Sequence, residues 1–272
     1  MKNKKLEIQC VTDIFAQRLE NVLNSLTKIG IVPLQELKKL QQIIHDMREV
    51  EKYVEKSTSD ESRELEKLRH LTLDTDWEQI YKNKISETKL RSKMMSSKTS
   101  AQFLKMLVSI LQPKKILELG LFSGYSALAM AEALPKDGTL ISCEQDKFAA
   151  EFARTYIDST LVAKKIKIEV GDCLEKMDML AEKGYVFDFI FIDAKKTEYI
   201  DYIDKIVALG LVNKNSLICI DNVFMKTRCF SNFKPENKGT TIMKNLNQKL
   251  ISESFFSVML PIRDGITLTK IV

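Results

Sequence analysis

From residue 115 onward the chain alternates between short apolar runs and helix-like stretches, and this alternation limits the fold more than any other feature. The stretches between the runs are about 10–15 residues long, which is the spacing of strand–helix–strand crossovers. Five such units predict a parallel, doubly wound α/β sheet whose ligands bind at the C-terminal ends of the strands. The predicted strands cover residues 116–119, 140–143, 166–170, 187–192 and 216–220. Two further runs, 255–260 and 266–272, are joined by a short loop and predict a hairpin-like pair.

The first part of the chain has the pattern of helices. Gly30 is the only glycine before position 120, and long segments without helix breakers favour helical structure. Apolar residues recur at helical spacing from Ile8 to Ile29; Gly30 then suits a C-terminal cap, and Pro33 suits the first turn of a second helix. We expect residues 1–75 to form a helical extension that packs on the main domain or on a second subunit, as a substrate cap or a dimerisation element.

The composition is that of an ordinary globular protein, with 44% hydrophobic and 29% charged residues in a chain of 272. Its five cysteines are widely spaced and form no CxxC pair, which predicts free thiols in a reducing compartment, so we expect a cytoplasmic location. No run approaches the roughly 18–20 apolar residues of a membrane span. The basic start lacks the apolar segment of a secretory signal, so we expect none. The net charge of +5 does not by itself indicate nucleic-acid binding.

Histidine is scarce, and this excludes several kinds of chemistry. The two histidines, His45 and His70, both lie in charged, helix-like sequence, where a Ser-His-Asp hydrolase is a poor interpretation. The HExxH pattern and the Cys/His spacings of zinc sites are absent from the sequence. A metal ion in this protein would therefore need oxygen ligands.

Acidic and small residues follow the first two predicted strands. Gly120 and Gly124 let the backbone approach a ligand, and Ser123 can cap the next helix. The spacing is not GxGxxG, and Glu118, just before the glycine turn, would repel a pyrophosphate and favour an amino-acid ammonium. Glu144 ends the second strand, where a carboxylate commonly binds ribose hydroxyls.

The remaining strands also end in polar residues. Cys173 follows the third strand, Asp193 ends the fourth, and Asp221 and Asn222 end the fifth. Any one carboxylate could be a helix cap, but five strands in step favour a shared site. Two carboxylates and an amide carbonyl form an oxygen set suited to Mg²⁺. Lys196, one turn beyond Asp193, could serve as a base if burial and a nearby dication disfavour its charged form; alone, it could equally be a solvated surface lysine.

Four segments in order resemble a known family. They are ELGLFSGYSALAMAEALPKDG, FDFIFIDAKKTEY, ICIDN and LPIRDGITL, and they are similar to the cation-dependent class I O-methyltransferases of the caffeoyl-CoA and catechol type. The resemblance covers roughly residues 77–272. It implies an α/β, Rossmann-like sheet of seven strands with the last strand antiparallel, in a methyltransferase domain over residues 76–272.

The resemblance also implies a cofactor, a metal and their ligands. The cofactor is S-adenosylmethionine, and the metal is Mg²⁺ or another divalent cation that chelates two adjacent oxygens of a small diol or enediol. The lysine at Lys196 is the base of the reaction, and the metal ligands are Asp193, Asp221 and Asn222. The cofactor-binding positions are Ser96, Glu118, Gly120, Leu121, Ser126, Glu144, Cys173 and Asp193.

Within the family, the chain looks most like the O-methyltransferases of mycosporine biosynthesis. The segment SGYSALAMAEALP, the FAAEFA stretch after Glu144, LPIRDGITL and the acidic–tryptophan pair Asp76-Trp77 carry this likeness. It implies an enediol-bearing cyclohexenone, the precursor of 4-deoxygadusol, as substrate, and catechols or hydroxycinnamoyl compounds remain the alternative. One departure is Lys195, which stands where the family usually has a second acidic residue, so no role is assigned to that position.

Two other functions fit the sequence less well. Amino-group DNA methylases carry Asp/Asn-Pro-Pro-Tyr/Phe after the fourth strand, where this chain has Asp193-Ala194-Lys195-Lys196, and the basic, aromatic stripe of a nucleic-acid surface is missing from the sequence. A catalytically inactive scaffold would not need the metal and base positions that are present. We therefore expect an enzyme with a small-molecule substrate, most simply a homodimer, with neither nucleic acid nor membrane as a partner.

Overall fold

The computed structural model describes residues 10–232 and 235–272, and within them seven strands form one mixed sheet. The strand order is β3-β2-β1-β4-β5-β7-β6. Strands β1 to β5 are parallel to one another, whereas β7 runs antiparallel to both β5 and β6. The predicted seven-stranded methyltransferase sheet with its last strand reversed is confirmed. The strands are β1 (Lys115–Leu119), β2 (Thr139–Glu144), β3 (Ile166–Val170), β4 (Phe189–Ile192), β5 (Leu217–Asp221), β6 (Phe255–Leu260) and β7 (Ile266–Ile271).

Ten α-helices occur in the same described part of the chain. The extension and the segment after it contain α1 (Val11–Ile29), α2 (Leu34–Ser57), α3 (Arg63–Asp74), α4 (Trp77–Lys82) and α5 (Lys98–Leu111). The crossovers contain α6 (Tyr125–Ala133), α7 (Lys147–Ile157), α8 (Cys173–Glu182), α9 (Tyr199–Ala208) and α10 (Lys238–Lys249). None of them is both long and apolar enough to cross a bilayer, within the residues described.

The sheet lies between two layers of helices because its central strands are apolar on both faces. Leu117 of β1 pairs in register with Ile141 on one side and Ile190 on the other, and all three are buried. They belong to a core cluster shared with α8, α9 and α10. Neighbouring residues such as Ile116 point to the opposite face and pack with α5, α6 and α7. The parallel strands all end at one edge, where the polar residues predicted from the sequence come together.

The N-terminal helices have two different environments. Helix α1 ends at Gly30, which has φ 73° and donates its N–H to Leu26 O, as expected for a C-terminal cap. Ala16, Leu23 and Ile44 form a small core in which α1 and α2 pack on each other. Ile8, the first apolar position of the predicted helix, lies outside the described residues.

Helix α3 also falls within the predicted extension, but it packs on helices of the sheet domain. Leu65 and Leu68 are fully buried beside Trp77 of α4 and Tyr125 of α6. Trp77 also donates its indole N–H to Thr72 O at 2.7 Å, which joins α3 to α4. The α1–α2 hairpin is thus the part of the extension with a core of its own, and the boundary at residues 75 and 76 stays a prediction.

Candidate active site

A cavity of about 580 Å³ opens at the C-terminal edge of the parallel strands. Its volume is within the range of small-molecule sites, roughly 300–1,000 Å³. Ten of the eleven residues assigned to the site from the sequence line it: Ser96, Gly120, Leu121, Ser126, Glu144, Cys173, Asp193, Lys196, Asp221 and Asn222. The eleventh, Glu118, lies behind the wall. The structure therefore brings together almost the whole set at one place.

Gly120 is required by the close approach of two strand ends. Its φ of 96° favours glycine, and a Cβ at this position would lie 2.2 Å from the carbonyl oxygen of Asp193. The turn after β1 thereby packs directly on the end of β4. Asp193 and the residues that follow Gly120 consequently face the same cavity.

Ser123 was expected to cap helix α6, and this expectation is wrong. Gly124, with φ 84°, occupies the N-cap position, and α6 has no side-chain cap. The Ser123 side chain is 1% exposed and lines the cavity instead, and its Oγ has no hydrogen-bond partner among the described residues. A buried hydroxyl without a partner is unfavourable, so this atom suits a polar group of a bound ligand.

Glu118 supports the cavity from below. Its carboxylate is fully buried and accepts hydrogen bonds from Ser126 Oγ, at 2.6 Å, and from Ser142 Oγ. Burial raises the pKa of Glu118 to about 8, and the nearby charges of Asp193 and Glu144 act in the same direction. Through Ser126, Glu118 fixes a residue that lines the cavity. A cationic ligand beside it would favour the charged form of Glu118, which burial opposes.

Glu144 closes the side of the cavity at the end of β2. One carboxylate oxygen accepts the backbone N–H groups of Phe122, at 2.8 Å, and Leu121, at 3.2 Å, and the other accepts that of Asp146 at 2.9 Å. Burial raises the pKa of Glu144, and these backbone donors oppose that shift. The carboxylate thus orders the glycine turn, and the oxygen that accepts only from Asp146 keeps a lone pair for a ligand hydroxyl.

The predicted metal ligands face one another across the base of the cavity. Asp221 is 5% exposed, and burial followed by the charge of Asp193 raises its pKa to about 8. Asn222 follows it with φ 63°. Two mutually repelling carboxylates and an amide are a donor set that fits a hard divalent cation. No group of three or more His, Cys, Asp or Glu side chains suited to a metal occurs in the described ranges, so the amide would complete the set.

Lys196 is held by two hydrogen bonds. Its Nζ donates to Asp193 Oδ1 at 2.6 Å and to the hydroxyl of Tyr199 at 2.6 Å. Burial alone would lower the pKa of Lys196, but Asp193, Tyr199 and Asp221 outweigh it and raise the pKa. Lys195 instead pairs with Glu198, and its side chain is 59% exposed. Lys196, one turn beyond Asp193, thus returns to Asp193 while Lys195 does not. The catalytic role of Lys196 stays a prediction.

The opposite side of the cavity was not assigned from the sequence. It is formed by residues after β5 and by the loop between β6 and β7, namely Met225, Lys226, Arg228, Arg263 and Asp264. The segment LPIRDGITL contains Arg263 and Asp264. An arginine just before the glycine of a tight loop was the sequence signal that could have indicated this part of the site. The others lie in irregular structure without periodicity, which gave no signal.

The chain is similar to known O-methyltransferases over most of its length. The sequence model of a family described as O-methyltransferase matches residues 55–272. Tricin synthase 1 of Oryza sativa subsp. japonica is 34% identical over 189 residues, which cover 65% of this chain and 74% of the relative. Caffeoyl-CoA O-methyltransferase 1 of Zea mays is 33% identical over 186 residues, covering 65% and 71% of the two chains.

Two solved structures have a fold similar to that of this chain. The O-methyltransferase TomG from Streptomyces achromogenes, in complex with S-adenosylmethionine, has a TM-score of 0.67 and 24% identity, covering 82% of this chain and 96% of its own. A methyltransferase from Podospora anserina, bound to S-adenosylhomocysteine, has a TM-score of 0.70 and 22% identity, covering 89% and 98%. These likenesses concern the fold that surrounds the cavity.

Proposed function

The chain belongs to the O-methyltransferase family, and from this premise we propose that it methylates one hydroxyl of a vicinal diol or enediol on a small molecule, with the help of a divalent cation. The enzyme is an S-adenosylmethionine-dependent O-methyltransferase. The observation that carries the proposal is the pair of carboxylates, half-buried Asp193 and buried Asp221, beside Lys196 in the cavity.

The cofactor is proposed to lie against the glycine turn. Ser123 offers a buried hydroxyl without a partner among the described residues, and Glu144 offers carboxylate oxygens at the end of β2. Glu118 lies under Ser126, and a positively charged ligand there would favour its charged form. These groups suit a ligand that carries both hydroxyl groups and positive charge.

The cation is proposed to be Mg²⁺, held by Asp193, Asp221 and Asn222. When bound, the cation supplies the positive charge that lowers the pKa of the reacting hydroxyl, and S-adenosylmethionine supplies the methyl group. A cation would also relieve the repulsion that raises the pKa of Asp221.

The protein's own residues are proposed to position the acceptor and move its proton. Asp193, Asp221 and Asn222 would fix the place of the two acceptor oxygens, and Lys196 Nζ in its neutral form would accept the proton of the reacting hydroxyl. In the protein alone, Asp193, Tyr199 and Asp221 raise the pKa of Lys196 and oppose that neutral form. Tyr199 is buried and bonds to Lys196 Nζ at 2.6 Å, so it fixes the direction of the amine. Such positioning replaces the entropy cost of bringing two reactants together.

Two acceptors are consistent with these groups. The segments SGYSALAMAEALP and LPIRDGITL support the enediol precursor of 4-deoxygadusol. The names of the relatives, tricin synthase and caffeoyl-CoA O-methyltransferase, favour catechols and hydroxycinnamoyl compounds. Both classes present two adjacent oxygens, which the proposed metal site requires.

One assay tests the function and separates the acceptors. The purified protein is incubated with S-adenosylmethionine and Mg²⁺ against a cyclohexenone enediol, a catechol and a caffeoyl thioester, and the products are identified by mass. Methylation of any vicinal pair, and none of the matching mono-hydroxy compounds, supports the proposal. Turnover of mono-hydroxy acceptors at the same rate would contradict it.

We propose the cellular compartment of the enzyme from the state of its cysteines. All five cysteines are free, which suits a reducing compartment such as the cytoplasm. A homodimer remains our expectation, and sedimentation at several protein concentrations would test it.

A further inference from the structure

One side of the cavity is made of backbone in an unfavourable conformation. We call residues 222–231 and 262–265 the acceptor wall, because residues of both segments line the cavity together with Asp193, Asp221 and Lys196. Five non-glycine residues of this wall have positive φ: Asn222 (63°), Met225 (50°), Lys226 (53°), Thr227 (69°) and Arg263 (54°). Residues other than glycine seldom adopt this conformation, and it persists where the surroundings hold it in place. The wall therefore needs support from outside itself.

The two segments of the wall are joined by hydrogen bonds from backbone N–H groups. Lys226 N donates to Asp264 Oδ1 at 2.7 Å, and Phe224 N donates to Asp264 O at 2.9 Å. Val223 N donates to Gly265 O at 3.1 Å. These bonds make the wall one unit, but they do not fix that unit to the rest of the protein.

The N-terminal hairpin contributes external support, in addition to Asn247 of α10, whose Nδ2 donates to Val223 O at 3.0 Å. Arg18 of α1 donates from Nη2 to Thr227 Oγ1 at 2.6 Å and from Nη1 to Ser231 Oγ at 3.0 Å. Glu51 of α2 accepts from Arg263 Nη1 at 2.6 Å, with 18% and 15% of the two side chains exposed. Two of these three bonds end on residues with positive φ, Thr227 and Arg263, and Thr227 is fully buried.

The two supporting residues belong to one body. Helices α1 and α2 share the small core of Ala16, Leu23 and Ile44, and they are also linked by an ion pair between Arg48 and Glu20 at 2.7 Å. The bonds of Arg18 and Glu51 consequently reach the wall from a single packed hairpin. A change in the attachment of the hairpin must move both segments of the wall.

We propose that Arg18 and Glu51 are positioning residues that hold the acceptor wall in its left-handed conformation, so that the α1–α2 hairpin sets the affinity for the acceptor without touching the reacting atoms. The kinetic part rests on the proposed function, because it assumes that the acceptor lies between this wall and Lys196. The structural part, that the hairpin orders the wall, is independent of any substrate.

Two variants and two matched controls test the proposal. Arg18→Met and Glu51→Gln each remove one contact with the wall. Arg48→Met and Glu20→Gln make the same chemical changes in the same hairpin, at the ion pair that does not touch the wall. Hydrogen exchange of the amides of residues 223–231 and 263–265 is measured in each protein, together with the Kd for S-adenosylmethionine and the KM for the acceptor.

We expect exchange in the wall to rise at least about tenfold in Arg18→Met and Glu51→Gln and to stay near wild type in the controls. We also expect the acceptor KM to rise about fivefold or more while kcat at saturation and the cofactor Kd change little. Wall exchange equal to that of the controls would overturn the proposal, and so would a parallel loss of cofactor and acceptor affinity. If the wild type methylates no acceptor, the proposed function fails, while the exchange data still decide whether the hairpin orders the wall.

Discussion

Lys196 Nζ lies 2.6 Å from Asp193 Oδ1, so the proposed base and a proposed metal ligand share one hydrogen bond. In the protein alone, the ammonium neutralises a carboxylate that repels Asp221. A divalent cation at the same carboxylates therefore has to compete with the charge of Lys196. This relationship ties the metal affinity of the site to its catalytic group.

Removal of the metal is expected to abolish turnover and to leave the fold intact. Asp221→Asn keeps the shape of the side chain but removes a charge that the cation needs, so it is expected to lower kcat by at least about 10²-fold. Calorimetry with S-adenosylmethionine is expected to show a near-normal cofactor Kd. Full activity of the wild type after dialysis against EDTA would contradict the metal assignment.

Replacing Lys196 is expected to have opposite effects on rate and on metal binding. Lys196→Met is expected to lower kcat by about 10²–10⁴-fold, which is the usual contribution of a positioned base. The same change removes a competing positive charge, so the Kd for Mg²⁺ is expected to decrease. Lys195→Met is the matched control, since that side chain pairs with Glu198. A large loss of rate in Lys195→Met, with normal turnover in Lys196→Met, would reverse the roles.

Ser123 and Ser126 are three residues apart and are expected to respond differently to alanine. Ser123→Ala removes a hydroxyl without a partner in the described structure, so it is expected to weaken cofactor binding and to leave the free energy of unfolding nearly unchanged. Ser126→Ala removes a donor to the buried Glu118, which is expected to cost about 1–3 kcal/mol of unfolding free energy. Urea titration and cofactor calorimetry distinguish the two, and equal stability losses would refute the assignment of Ser123.

The stability of the protein without ligands is expected to fall as the pH rises from about 5 to 8. Burial raises the pKa of Glu118 from 4.5 to about 8, so in this window the folded protein binds a proton that the unfolded chain has released. Asp221 and Asp264, whose pKa values are raised to about 8 and about 6, act in the same direction. Glu118→Gln cannot titrate and is expected to lose less stability over this range. If urea unfolding in EDTA gave parallel pH profiles for the wild type and Glu118→Gln, the raised pKa of Glu118 would be contradicted.

The sheet and most of the site could be predicted because they depend on local patterns. Apolar runs mark the buried strands, and the end of each run places Glu144, Asp193 or Asp221 at the same edge of the sheet. Gly120 could be recognised as a turn glycine that lets the backbone approach a ligand, but its close packing against Asp193 was visible only in the structure. These inferences need only residues that are close in the sequence and the rule that parallel strands end at the same edge of a sheet.

The support of the acceptor wall could not be predicted in this way. Arg18 and Thr227 are separated by 209 positions, and Glu51 and Arg263 by 212. Each pair joins a helix to an irregular loop, so neither partner has a periodic pattern that points to the other. The prediction that Ser123 caps α6 was wrong for a related reason. A serine before a helix resembles an N-cap until the conformation of Gly124 is known.

The position of β7 between β5 and β6 has a consequence for synthesis on the ribosome. Strands β1 to β4 are neighbours within the first 192 residues, so the cofactor side of the protein can assemble while translation continues. Strand β5 can pair with β4 once it is translated, but its outer edge and strand β6 stay unpaired until β7 is translated. A nascent chain would thus expose one open sheet edge beside a nearly finished nucleotide pocket, and early binding of the cofactor could protect this intermediate from aggregation.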